Sequence, residues 1–221
     1  LGDRVRMNHY IWDDNVFIRS MGSHGDLGGL ARKAQDVGDV LAASGKDVVI
    51  FETVGVGQGE LDVAKAVDLT IVVLVPESGD EVQLMKAGLV EIADIFVVNK
   101  SDRQGADRLA QSLKSILHSI TKKDHLEPPI YNTSADRNEG VSELYKGLTN
   151  LTEVMVDKGL MNQKYLDRHR NRVLNLIQDQ LLGKFWTQQR LDQLEDSVHN
   201  LSMTDESPYK VAKTLLDSAN E

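Results

Sequence analysis

Short apolar runs alternate with amphipathic stretches through most of the chain. Val16-Phe17-Ile18 predicts a short strand, and Leu27 to Ala43 predicts a helix entered through Gly28-Gly29 and closed by Gly45. Asp47-Val48-Val49-Ile50-Phe51-Glu52 follows, a β-branched run without polar alternation, and the same character recurs at Leu69 to Val75, at Ile95 to Val98 and more weakly at Ile130 to Thr133. Helical stretches fall between them, at about Glu81 to Ile92, Arg103 to Ser119 and from Val141 onward. Unbroken apolar strands separated by helices predict a parallel sheet covered on both faces, that is, a doubly wound α/β domain.

From about Leu151 the strand signals stop. Leu166, Val173, Ile177 and Leu181 share one helical face, Leu191, Leu194, Val198 and Leu201 share another, and Ser207-Pro208 opens a last helix. The expected division is an α/β domain over 1–150 and a helical tail over 151–221. A tail this apolar packs either on its own domain or on a second subunit.

Composition narrows the partners. A net charge of −9 argues against a general nucleic-acid binder, which needs a basic surface. Cysteine is absent, so disulfides and thiolate metal sites are ruled out. No apolar run approaches the roughly 20 residues of a membrane span. No basic-then-apolar leader opens the chain, and the expected location is the cytoplasm or an organelle matrix. The six histidines show no metal-ligand spacing.

The strongest local signal is Asn99-Lys100-Ser101-Asp102, placed directly after the run Ile95 to Val98. At the carboxyl end of a parallel strand, side chains face the ligand crevice. There Asn99 can bond a purine ring nitrogen, the Lys100 stem can lie over the base, and Asp102 can accept from N1–H and the exocyclic amine of guanine. Adenine would leave that carboxylate unpaired. The competing reading is a surface turn built from turn-forming residues. Ser134-Ala135, one strand-helix unit later, can meet the guanine carbonyl, although the dipeptide alone carries little. Glu52-Thr53-Val54-Gly55-Val56-Gly57-Gln58 ends another apolar run. Glu52 there can hold Mg²⁺ and Gly55 can admit a terminal phosphate, unless the segment is a plain glycine-rich turn. The phosphate-cradling pattern G-x-x-x-x-G-K-[ST] is missing, since neither Gly45-Lys46 nor Gly183-Lys184 fits it. Such a loop normally precedes all of these pieces, and Leu1 is no initiator methionine, so the expectation is an amino-terminally truncated chain.

Four stretches in combination resemble the GTPase chaperones of coenzyme-B12-dependent methylmalonyl-CoA mutase, long labelled arginine/ornithine transport kinases. They are Gly2-Asp3-Arg4-Val5-Arg6-Met7, Val16 to Met21 with Leu27-Gly28-Gly29-Leu30, Glu52 to Gln58, and Gly79-Asp80-Glu81-Val82-Gln83-Leu84-Met85-Lys86. The resemblance is close to about Leu148 and looser over the tail. It implies a P-loop NTPase-type sheet lacking its first strand and P-loop, with GTP or GDP and Mg²⁺ as cofactors. It implies Asp3, Asp13 and Glu52 on the metal side and Glu52, Gly55 and Gln58 at the hydrolytic centre. Asn99, Lys100, Asp102, Ser134 and Ala135 would then bind the nucleotide. Asp80, Gln83 and Lys86 would form a loop coupling nucleotide state to the client, although Gly79-Asp80-Glu81 also reads as a solvated helix start.

The expected function is a GTP-hydrolysing chaperone that protects a B12-dependent acyl-CoA mutase and gates its cobalamin loading, homodimeric through the tail. This chain alone is expected to bind GTP poorly and to be marginally soluble. The alternatives are a non-catalytic interaction and dimerisation module and a related metallochaperone GTPase.

Overall fold

The computed structural model describes residues 7–21, 33–53, 63–77, 88–120, 126–199 and 207–218. The chain divides into two compact units, Leu1–Arg168 and His169–Glu221.

The first unit is organised around three parallel strands, β1 (Ile71–Leu74), β2 (Ile95–Val98) and β3 (Ile130–Asn132), in the order β1-β2-β3. Helices α1 (Ala34–Ala43), α2 (Leu89–Ile92), α3 (Ala106–Ile120) and α4 (Val141–Asp157) separate or follow them. The register sets Leu74 beside Val98 and Val98 beside Asn132, so the three carboxyl ends finish level and the loops after them share one edge. β2 is buried at all four positions, the burial its unbroken apolar run predicts. Phe96 packs with Val72, Leu74, Val90, Ala93, Leu113 and Leu117 into the core. α3 supplies Leu109, Leu113, Ile116 and Leu117 from one stripe and turns Arg108, Gln111 and Lys114 outward.

Two expected strands do not form. Val16 to Ile18 and 47–52 pair with nothing in a ladder, and Val48 and Ile50 stand 74% and 85% exposed. A strand is secured by its neighbour's backbone groups, and among the described residues neither segment has that neighbour. β1 is affected likewise: it pairs only with β2 among the described residues, and it alternates, with Ile71 and Val73 exposed and Val72 and Leu74 buried. The expected helix over 27–43 is described only as α1, which packs Gly38 beneath the Phe51 ring. Of the helix expected over 81–92, only the turn α2 falls within the described residues.

Helix α5 (Leu160–Phe185) begins within the first unit and its first turns are tied to the opposite, amino-terminal edge of the sheet. Lys164 Nζ donates to both carboxylate oxygens of Asp94 at 2.6 Å and Arg168 donates to Asp68 at 2.5 Å. Asp94 also accepts from the Thr70 amide at 2.8 Å. Removing the lysine leaves a half-buried carboxylate with one partner fewer, so Lys164→Met is expected to cost about 1–2 kcal/mol. A urea denaturation midpoint unchanged from the parent would contradict this.

In the second unit, α6 (Gln188–His199) and α7 (Pro208–Asp217) pack together. Ser207 caps α7, its hydroxyl accepting from the Lys210 amide, with Pro208 at the first helical position. Arg190 donates to the carbonyls of Phe185 and Ser218 and lies over the Phe185 ring. Phe185, Trp186, Leu194, Val198, Val211 and Leu215 line an apolar groove of about 380 Å³.

Candidate functional site

The loops after β2 and β3 meet at the carboxyl edge of the sheet. The Asn99 amide N–H donates to the Leu74 carbonyl at 2.8 Å, carrying the ladder one residue past β2. Lys100 then takes a left-handed conformation (φ 57°), uncommon for a side chain of its kind, and reverses the chain. The Ser101 amide is caught by the Thr133 carbonyl at 2.9 Å, locking the two loops together.

Side chains complete the link. Asn99 Oδ1 accepts from the Thr133 hydroxyl at 3.2 Å and from the Ala135 amide at 3.1 Å. The Ser134 hydroxyl, fully buried, donates to Asp102 Oδ1 at 2.8 Å. Asp136 Oδ1 lies equally close to that hydroxyl, which has one hydrogen for two carboxylates. Arg137 holds the other Asp102 oxygen at 3.0 Å. The Ser134 hydrogen bond, helped by the loop's own amide and by the charges of Arg137 and Arg103, keeps Asp102 below the usual carboxylate range, against the opposing effect of desolvation. Asp102 is therefore an ionised hydrogen-bond acceptor at the strand edge.

The Ser134 loop owes its shape to Gly140, which caps α4 in a left-handed conformation (φ +74°). Ser134 and Glu139 exchange backbone hydrogen bonds at 3.0 and 3.1 Å across the loop. On its other flank, Arg103 pairs with Glu77 after β1; that bond lowers the Glu77 pKa and raises that of Arg103.

The structure thus brings Asn99, Lys100, Asp102, Ser134 and Ala135 into one edge. Of the expected metal and hydrolytic residues, only Asp13 and Glu52 fall within the described residues. Asp13 is exposed and accepts from the Asn15 amide in a local turn. Glu52 is exposed at the end of 47–53. Both offer the hard oxygen donors that Mg²⁺ takes, one or two carboxylates beside phosphate oxygens and water being its usual set. Among the described residues no group of three or more His, Cys, Asp or Glu is gathered for a metal ion. Asp3, Gly55, Gln58, Asp80, Gln83 and Lys86 lie outside the described residues. Sequence reasoning missed Thr133, Asp136, Arg137 and the Arg103–Glu77 pair. Only Thr133 carried a signal, as the residue ending a strand just before Ser134.

A parallel sheet with helices between its strands, its loops gathered at the carboxyl ends, is the frame of a P-loop NTPase fold. A solved structure described as an LAO/AO transport system kinase shares it, with a TM-score of 0.65 at 24% identity over 86% of this chain and 63% of that one. The profile of the methylmalonyl-CoA mutase-associated GTPase family MeaB matches residues 1–190, and the chain belongs to that family. A Pyrococcus abyssi protein designated a GTPase is 39% identical over 98% of this chain and 68% of its own length. The mouse protein named methylmalonic aciduria type A homolog, mitochondrial, is 34% identical over 85% of this chain and 46% of its own. The Escherichia coli GTPase ArgK is 36% identical over 74% and 50%. No described helix is long and apolar enough to cross a membrane.

Proposed function

We propose that this chain is the guanine-reading and subunit-pairing part of a cytoplasmic GTP-driven chaperone for a B12-dependent acyl-CoA mutase, whose cobalamin loading it gates. The observation that carries the reading is the Asp102 carboxylate, ionised and held in place by Ser134 beside Asn99 and Ala135. Two adjacent N–H donors of a guanine edge match its two oxygens, and adenine presents an acceptor where the first donor belongs. Hydrolysis would proceed by in-line attack of water on the γ-phosphate, with Mg²⁺ spreading the developing charge. Glu52 and Asp13 would help hold that ion, Gly55 and Gln58 would line the hydrolytic centre, and Asp80, Gln83 and Lys86 would couple it to the client.

Homodimerisation through the helical tail is supported by its exposed apolar residues. No described residue of α5 is buried, Val173, Leu174, Ile177 and Leu181 are all exposed, and the α6–α7 groove is apolar.

The 221 residues contain no G-x-x-x-x-G-K-[ST], so this polypeptide has no loop to cradle phosphates. That favours, for the polypeptide alone, a second reading as a non-catalytic interaction module. Ligand-observed NMR on the 221-residue chain is expected to show guanosine binding in preference to adenosine, with GTP gaining little over guanosine. Equal binding of the two nucleosides would end the guanine reading, and tight GTP binding by calorimetry would end the claim that the phosphates lack a cradle.

A further inference from the structure

The carboxylate proposed to read the base already has a nitrogen donor on it. Arg137 Nη2 lies 3.0 Å from Asp102 Oδ2 while Ser134 takes Oδ1. Guanine's reading edge, N1–H beside the C2 amine, is itself a guanidine fragment. A planar guanidinium presents the same pair of N–H donors to a carboxylate.

We propose that Arg137 is a built-in competitor for the purine, pairing with Asp102 while the base site is empty and leaving it when guanine enters. The inference rests on the base-site reading above. Three further features carry it. The Arg137 side chain is 57% exposed against 17% for Asp102, so the arginine can withdraw into water while the carboxylate stays. Arg137 ends the single helical turn Ala135–Arg137 beside Asn138, whose left-handed conformation (φ 57°) leads the chain away, so its displacement needs no change in the strands. Asp136 stands on the far side of the Ser134 hydroxyl, and two carboxylates contend for one hydrogen. A cation at this spot offsets their repulsion until a base supplies the donors.

The competition does not itself set specificity: Arg137 lowers the apparent affinity of every base that needs this carboxylate by the same factor, and the choice of guanine over adenine stays with the donors the base offers to Asp102.

The test uses the 221-residue chain and guanosine, an uncharged probe that needs no phosphate contacts, titrated by ligand-observed NMR at low and high salt. An exposed ion pair is weakened by salt, so wild-type affinity should rise with ionic strength, opposite to the fall expected of charge-driven binding. Arg137→Gln should bind guanosine about two- to five-fold more tightly at low salt, the range set by a solvent-exposed pair, and should lose the salt dependence. Arg137→Lys, which keeps the charge without the planar fork, should lie between the two. Guanosine preference over adenosine with unchanged or weaker binding in Arg137→Gln, or salt dependence that survives the substitution, would overturn the competitor and leave the base site standing. Loss of that preference in every form of the chain would remove the base site and this proposal with it.

Discussion

Gly140→Ala is expected to destabilise the first unit by about 2–5 kcal/mol and to abolish guanosine binding. A Cβ at this position would lie 2.2 Å from the Asn132 carbonyl oxygen and 3.2 Å from the Thr133 Cα. Both are backbone atoms in and just after β3, so no side chain can swing aside to make room. The backbone is also left-handed there (φ +74°), which adds the ordinary cost of a side chain in that region. Relief requires the loop to lift from the strand end. That movement breaks the Ser134–Glu139 hydrogen bonds and withdraws the Ser134 hydroxyl from Asp102. Gly159→Ala is the control, since Gly159 has φ +71° but nothing within 4 Å of its Cβ position. Only the conformational cost of about 1–2 kcal/mol should appear there. Equal urea midpoints for the two variants would show that the close approach at Gly140 costs nothing.

The parts legible in the sequence are those that local pattern governs. The run Ile95 to Val98 predicts a strand buried on both faces and is one. The stretch Arg103 to Ser119 predicts a helix and holds α3, which sets Leu109, Leu113, Ile116 and Leu117 in or against the core, and the Asn-Lys-Ser-Asp segment stands at that strand's carboxyl end. Pairing is the part that pattern does not carry. Val48 to Phe51 is as apolar as β2, but a strand needs a ladder partner, and hydropathy says nothing about whether one is present. The tie between Asp94 and Lys164, 70 residues apart, and the approach of Arg137 to Asp102 are likewise products of tertiary geometry. Short polar residues in a loop show no period that would mark out Arg137 from its neighbours. The half of the site proposed to read the base is therefore legible as residue types after two strands, while Asp136 and Arg137 beside it are not.

Asp102→Asn is expected to reduce the preference for guanosine over adenosine by about a hundredfold or more, and to shift the site toward xanthosine. The carboxylate offers two acceptors, matching the N1–H and amine donors of guanine. An amide offers one acceptor and one donor, so the guanine amine would face an N–H. Xanthine keeps the N1 donor and carries a carbonyl at C2, which that amide donor can satisfy. The fold should tolerate the change, because the Ser134 hydroxyl can still donate to the remaining oxygen and the more exposed Arg137 can turn to water. Acid should act in the same direction as the substitution. Asp102 is held below the usual carboxylate range, first by Ser134, so its charge and the guanosine preference persist as pH falls through that range. The stabilisation from Ser134 and Arg137 is fully present above the unfolded-state pKa and is lost only as pH drops through the lower folded-state value, where a protonated Asp102 also presents one donor and one acceptor. Competition NMR with guanosine, xanthosine and adenosine across that pH range reads both effects. A variant that still chose guanosine over xanthosine would mean that this carboxylate does not read the base.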